Sequence, residues 1–232
     1  MLTLAFECSA LNLLVGIIRD NKLIQQSEIN DGFSHSEMLI VKIEEILKNQ
    51  QIWYQDLDLV VVSNGPSSFT ATRVALSVAK MINISCQKPV VTVNKCELLA
   101  FFYKNNLLSS KNNNNNLKLT VIVNACGNEV FFARYCYEDM RLKCLSEPDV
   151  STIDDLIKQL NFSQDLIIFD QQLSYDHFIN KISNQALILQ NDVLSLGLLG
   201  LEKYHNLLKN NASNQLNISP IYLLEPRISK RK

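Results

Sequence analysis

Leu57-Asp58-Leu59-Val60-Val61-Val62-Ser63-Asn64-Gly65-Pro66-Ser67-Ser68-Phe69-Thr70-Ala71-Thr72-Arg73-Val74 changes character twice. Leu57 to Ser63 is a continuous apolar, β-branched run, the pattern of a strand buried on both faces. Asn64 to Ser68 is turn chemistry, and from Phe69 to about Ile84 the apolar residues recur at helical spacing. Strand, turn and helix in this order are half of a βαβ unit, which points to an α/β fold.

Reading outward, Leu2 to Cys8, Leu11 to Arg19 and Lys22 to Glu28 are three strands, with Asp20-Asn21 as a tight hairpin turn. A helix follows from His35 to about Asn49, started by a Ser34/Glu37 capping box. Pro89 to Val93 is a short buried strand and Lys95 to Lys104 a helix. The run Asn112 to Asn116 has nothing to bury, so Ser109 to Asn116 is a surface connection. Beyond it the same grammar restarts. Lys118 to Asn124, Glu129 to Tyr137 and Met140 to Leu145 form a meander. A helix at Ile153 to Leu160, a strand at Leu166 to Phe169, and helices at Tyr175 to Ile182 and Asp192 to Leu208 follow; Ile218 to Leu224 closes the chain as a strand or extended arm. The expected organisation is an N-terminal lobe over residues 1–108, an Asn-rich loop over 109–117 and a related lobe over 118–232.

Composition narrows the function. Lys plus Arg number 22 against 23 Asp plus Glu, for a net charge of -1, so no basic excess advertises a grip on nucleic acid. No apolar run approaches the ~18 residues of a membrane span. The six cysteines include no C-x-x-C pair, and the N-terminus lacks a secretory pattern, which reads as a soluble cytoplasmic protein with reduced thiols. Only six glycines occur, and neither G-x-G-x-x-G nor a P-loop is present. His35, His177 and His205 have no zinc-ligand spacing, and Ser9, Ser63 and Ser85 lack a nucleophile elbow. Glu7, closing the first strand, is the most suggestive acid, because strand ends host sites in α/β folds. Gly65 to Thr70 has the layout of an anion site at a helix start; a helix simply capped by Ser67 or Ser68 explains it better. No catalytic constellation, cofactor or metal site emerges.

The two N-terminal helices carry an apolar surplus. At ~100° per residue, Leu39, Ile40, Ile43, Ile46 and Leu47 share one arc, leaving Met38 and Val41 outside it beside Lys42 and Glu45. On the second helix Ala71, Val74, Ala75, Val78, Met81 and Ile82 form the inner face, with Phe69 and Leu76 opposite, between Arg73 and Lys80. The first helix is acidic outside (Glu37, Glu44, Glu45) and the second basic. Such a surface suits a protein partner, either a related chain or a second copy, as well as it suits plain solvation.

The segment from Gly65 to Arg73 resembles the G-P-G-S-F-T-G-x-R-x-G motif of the TsaB proteins. Glu7-Cys8-Ser9 resembles that family's I-D-T-S start, and His35-Ser36-Glu37 its H-S-x-x-L stretch. Asn124 to Phe131 resembles D-A-R-x-x-E-V-Y, and Pro220-Ile221-Tyr222-Leu223 the closing P-x-Y-L-R. The resemblance implies an actin-like, sugar-kinase-like (ASKHA) fold with two duplicated lobes. It implies a non-enzymatic subunit that supports the catalytic paralogue TsaD, with the ATPase TsaE assisting, in making threonylcarbamoyladenosine at position 37 of tRNAs reading A-starting codons. The tRNA would be met only through the complex, and the free protein could form a homodimer. The expected partner face is Met38, Val41, Glu45, Phe69, Arg73, Leu76 and Lys80, and the motif residues are Gly65, Pro66, Ser68, Phe69, Thr70 and Arg73. Ser67 and Ala71 replace glycines, Asn124 replaces Asp and Leu224 replaces Arg. The competing readings are a stand-alone ASKHA phosphotransferase, which the glycine poverty disfavours, and a metallopeptidase, which the histidine spacing disfavours.

Overall fold

A computed structural model describes residues 1–9, 12–29, 35–107, 117–125, 127–138, 141–160, 165–170, 186–190, 192–210 and 218–223. The first sheet contains β1 (Leu2–Cys8), β2 (Leu13–Arg19), β3 (Lys22–Ile29), β4 (Leu59–Ser63) and β5 (Val90–Val93), in the order β3-β2-β1-β4-β5. β1 is buried at every position and β3 alternates between exposed and half-buried, as a central and an edge strand should. Asp20 and Asn21 both have positive φ (50° and 64°), the backbone of a tight I′ hairpin.

The second sheet repeats this plan. It contains β6 (Leu117–Asn124), β7 (Glu129–Glu138), β8 (Arg141–Thr152), β9 (Asp165–Asp170) and β10 (Ala186–Leu189), ordered β10-β9-β6-β7-β8. In each sheet an antiparallel meander leads into two parallel strands. β10 has no counterpart in the sequence reading, because four apolar residues at a sheet edge carry no detectable period. β8 runs well past the expected end at Leu145. Its pairing shifts register between Phe132 and Arg134, opposite Glu147-Pro148, and this bulge lets an edge strand carry a proline. The expected helix at Tyr175 to Ile182, the Asn-rich loop and the Ser34 cap lie outside the described residues.

The helices are α1 (His35–Asn49), α2 (Phe69–Cys86), α3 (Lys95–Asn106), α4 (Ile153–Gln159) and α5 (Val193–Lys209). α1 and α2 cover one face of the first sheet, over Leu4, Phe6, Val60 and Val62. The opposite face, with Ala5, Ile18, Leu59 and Val61, is covered by Val193, Leu196, Leu199 and Leu201 of α5, a helix from the other half of the chain. Reciprocally, α3 leaves the first sheet and packs Cys96, Leu99 and Ala100 onto Leu119, Val121 and Ala133 of the second. Asn94 caps α3 by accepting from the Cys96 and Glu97 amides, and Asp192 caps α5 by accepting from the Ser195 amide. The last described segment, 218–223, is an extended arm rather than a strand. Its Ile218 joins the first core and its Leu223 the α3 core.

Glycine allows α5 this close approach. A β-carbon at Gly197 would lie 2.1 Å from Ile18 Cδ1, and one at Gly200 would lie 2.4 Å from both γ-carbons of Val61. Ile18 Cδ1 is the tip of a flexible side chain, whereas Val61 is a stiff β-branched residue in a buried strand. We therefore expect Gly200→Ala to destabilise the protein by roughly 1–3 kcal/mol through overpacking, less about 1 kcal/mol of gained helix propensity. Gly197→Ala should cost less, and Val61→Ala should partly relieve Gly200→Ala. Urea denaturation of the three variants and the double variant is the measurement.

Candidate functional site

α1 and α2 lie side by side on the first sheet, and their outward faces form the first candidate surface. Val41 is 50% exposed, and Glu45, Arg73 and Lys80 are also exposed. Met38 and Phe69 are half-buried, and Met38 packs into the first core. Leu76 does not belong to the surface: it is 3% exposed and inside the core. Ile40 (41% exposed) and Met81 (47%) take the outward places that the helical wheel had given to the inner face. The cause is the neighbouring helix. Each helix is covered by the sheet beneath and by its partner alongside, so the buried arc is rotated from the one a sheet alone would define. Ile84 and Trp53 are further exposed apolar residues, and Glu37, Glu44 and Lys48 of α1 and Lys80 of α2 are exposed charges.

At the start of α2 three residues from two separate motifs meet. The Arg73 guanidinium carbon lies 3.6 Å above the centre of the Phe69 ring and 5.3 Å from that of Tyr222. Arg73 Nε donates to the Tyr222 hydroxyl at 2.7 Å, and the two rings are 5.4 Å apart. Phe69 and Arg73 are i, i+4 neighbours on one helix face; Tyr222 comes from the C-terminal arm. The arm is held beside them, because the Ile221 amide donates to the Asn64 carbonyl at 3.1 Å and Asn64 Nδ2 donates to the Ser219 carbonyl at 3.3 Å.

The turn itself does not build an anion site. Gly65 has φ of +88°, and its peptide bond to the buried Pro66 is cis. Ser68 occupies the N-cap position of α2 but makes no side-chain capping bond, contrary to the expected hydroxyl cap. Ser67 Oγ is buried without a hydrogen-bond partner, while Thr70 faces solvent, so the hydroxyls do not converge on one surface.

The second candidate lies between the sheets, and the sequence pointed to only one of its members. Lys95 Nζ stands 3.0 Å from Glu7 Oε1 and 3.1 Å from Asp170 Oδ2, with all three side chains at most 3% exposed. Glu7 belongs to the end of β1 in the first sheet, Asp170 ends β9 in the second, and Lys95 opens α3 between them. Burial by itself depresses the Lys95 pKa, but the Asp170 and Glu7 carboxylates outweigh it and hold the ammonium above its ordinary 10.5. Beside it, burial and then Glu7 push the Cys8 thiol from 9.0 up to about 12; burial and then Asp170 raise Cys96 as well. Neither thiol is a thiolate at neutral pH, so neither has the chemistry of a nucleophile. Among the described residues no group of three or more His, Cys, Asp or Glu could hold a metal ion, and no helix is long and apolar enough to cross a membrane. His205 is exposed on α5; His177 lies outside the described residues.

The comparisons agree with this architecture. Residues 31–216 match the family described as TsaD, tRNA N6-adenosine threonylcarbamoyltransferase. The chain belongs to this family, in its TsaB branch. It is 24% identical over 161 residues to the tRNA threonylcarbamoyladenosine biosynthesis protein TsaB of Buchnera aphidicola subsp. Schizaphis graminum, covering 68% of this chain and 73% of that protein. It is 23% identical over 200 residues to the TsaB of Haemophilus influenzae, covering 82% and 80%. The solved structure of YeaZ from Pseudomonas aeruginosa superposes with a TM-score of 0.73 at 16% identity, over 96% of this chain and 99% of that one. The α/β fold, with its two similarly ordered sheets, is thus shared with YeaZ over nearly the whole length of both chains.

The alkaline limb of stability should report the buried cluster. Both groups have folded pKa values above their unfolded ones, so each stabilises the fold fully below its unfolded pKa and loses that contribution as pH rises through the folded value. The loss should begin near pH 9 with Cys8 and deepen above pH 10.5 with Lys95. Urea midpoints measured from pH 7 to 11 should be level at first and then fall; burial also raises Cys96, Tyr135 and Tyr137, so Lys95→Met should make the later part of the decline shallower without removing it.

Proposed function

We propose that this chain is a non-catalytic cytoplasmic subunit in the synthesis of N6-threonylcarbamoyladenosine at position 37 of tRNAs reading A-starting codons. It docks its α1/α2 face on a TsaD-like catalytic paralogue, and a TsaE-like ATPase acts on the resulting complex. The observation that carries this reading is that α1 and α2 leave Ile40, Val41, Met81 and Ile84 exposed, on a net acidic α1 (Glu37, Glu44 and Glu45 against Lys42 and Lys48) and a basic α2 (Arg73 and Lys80). An apolar strip rimmed by charge is the composition of an interface core and its rim. Because the paralogue shares this fold, its corresponding helices can meet these across a pseudo-two-fold axis. Acidic α1 then faces basic α2 in both directions, and a second copy of this chain satisfies the same symmetry when the paralogue is absent. The TsaB relatives support the pathway, and the exposed helix face supports the role within it.

Reconstituted tRNA threonylcarbamoylation should need this chain beside its TsaD-like partner. Val41→Asp combined with Lys80→Glu should abolish co-elution of the two proteins and cost roughly 2 kcal/mol or more of affinity, with the thermal melt of the isolated chain unchanged. Leu76→Ala should do the reverse, lowering stability by about 2–5 kcal/mol as a core truncation. Equal modification rates with and without the chain would refute the reading.

A further inference from the structure

The cluster of Lys95, Glu7 and Asp170 takes no part in the docking proposed above, yet its members are among the most deeply buried charges in the protein. Its position is informative. Glu7 and Asp170 stand at the C-terminal ends of strands that run parallel to their neighbours β4 and β6, and in α/β folds such ends form the crevice where ligands sit. One carboxylate comes from each sheet. Converging oxygen donors of this kind are what a hard divalent cation takes up, and two carboxyl groups brought together out of water need either a cation or a shared proton between them.

We propose that Lys95 is the built-in cation of the inter-lobe cleft: its ammonium occupies the place a divalent ion would take between Glu7 and Asp170, fixing the lobes to each other and excluding a metal–nucleotide complex. The ammonium is delivered by a rigid support. Lys95 is the first residue of α3, its amide donates to the Gly65 carbonyl at 2.7 Å, and the Asn94 cap fixes the turn around it. α3 is itself the helix that crosses from the first sheet to the second, and Glu97 in the same first turn pairs with Lys203 of the reciprocal helix α5. A cation tethered in this way is always present at its site and must be expelled, with its charge left unpaired, before a free ion can enter. The same geometry ties one carboxylate of each sheet to a shared ammonium, so opening the cleft would pull Glu7 or Asp170 away from Lys95. This inference does not depend on the docking proposal, since it concerns the isolated chain.

The test compares the wild-type chain with Lys95→Ser, Lys95→Met, Glu7→Gln, the double variant Lys95→Ser/Glu7→Gln and the charge-free variant Lys95→Met/Glu7→Gln/Asp170→Asn. Mn2+ binding is followed by the electron paramagnetic resonance of the free ion, and Tm is measured with and without Mg2+ or Mg–ATP. The wild type should take up no stoichiometric Mn2+, and its Tm should ignore Mg2+ and Mg–ATP. Lys95→Met, which leaves two carboxylates facing each other, should lower Tm by on the order of 10 °C. The charge-free variant should recover much of that loss. Lys95→Ser, which vacates the position, should bind one Mn2+ per chain and regain Tm on adding Mg2+; Glu7→Gln in the same background should abolish both effects. Stoichiometric Mn2+ uptake by the wild type that Glu7→Gln removes would overturn the proposal. So would a folded Lys95→Ser without metal affinity, or a charge-free variant no more stable than Lys95→Met. That last comparison decides the matter if Lys95→Ser fails to fold.

Discussion

At residues 197 and 200 there is no space for a β-carbon, because Ile18 and Val61 already occupy it, and α5 therefore lies directly on the first sheet. Gly16 makes the same concession from the strand side, where a β-carbon would meet Val193 at 2.7 Å. This contact determines much of the architecture. The first sheet has α1 and α2 on one face only, and its other face is covered by a helix that follows β10 in the second half. The second sheet has the same debt to α3. Exposing either sheet face would return a layer of Val, Ile and Leu to water, at ~25 cal/mol per Å² of apolar area. The duplicated halves are for this reason interlocked, and the glycines that the sequence rations so tightly sit where this interlocking needs them.

Much of this was legible in the sequence because it is local. A β-branched run such as Leu59–Ser63 can only be a strand buried on both faces, and the Asp20-Asn21 turn announces its own backbone. The bounds of α1 and α2 follow from apolar spacing and flanking polar residues. The duplicated strand order was readable as repeated grammar. What escaped was set by tertiary context. Leu76 and Met81 exchanged faces because a neighbouring helix, invisible to a helical wheel, contributes half of the cover. β8 passed through Pro148 because a bulge removed the need for its amide. β10 is too short to show a period.

The site was half-legible for the same reason. Glu7 stood out as an acid at a strand end, but Lys95 reads as an ordinary solvated residue in the first turn of a helix, and Asp170 as a polar end to a strand. Only the fold brings residues so distant in sequence within reach of one ammonium.

The helix face and the cleft are joined by a continuous set of contacts rather than merely sharing a molecule. Arg73 and Phe69, at the edge of the docking face, hold Tyr222; the arm carrying Tyr222 is bonded to Asn64; Gly65 next to it accepts the Lys95 amide. Each of these groups is fixed by a partner on another element, so the start of α2 cannot shift without disturbing the turn that positions Lys95. A docking face needs this rigidity, because a helix pair that must be ordered on binding loses affinity to the entropy of ordering. An internal ammonium supplies it permanently, whereas an exchangeable metal–nucleotide complex would supply it only while bound. If α1 and α2 dock as proposed, the subunit gains from a cleft that is held shut by its own side chain.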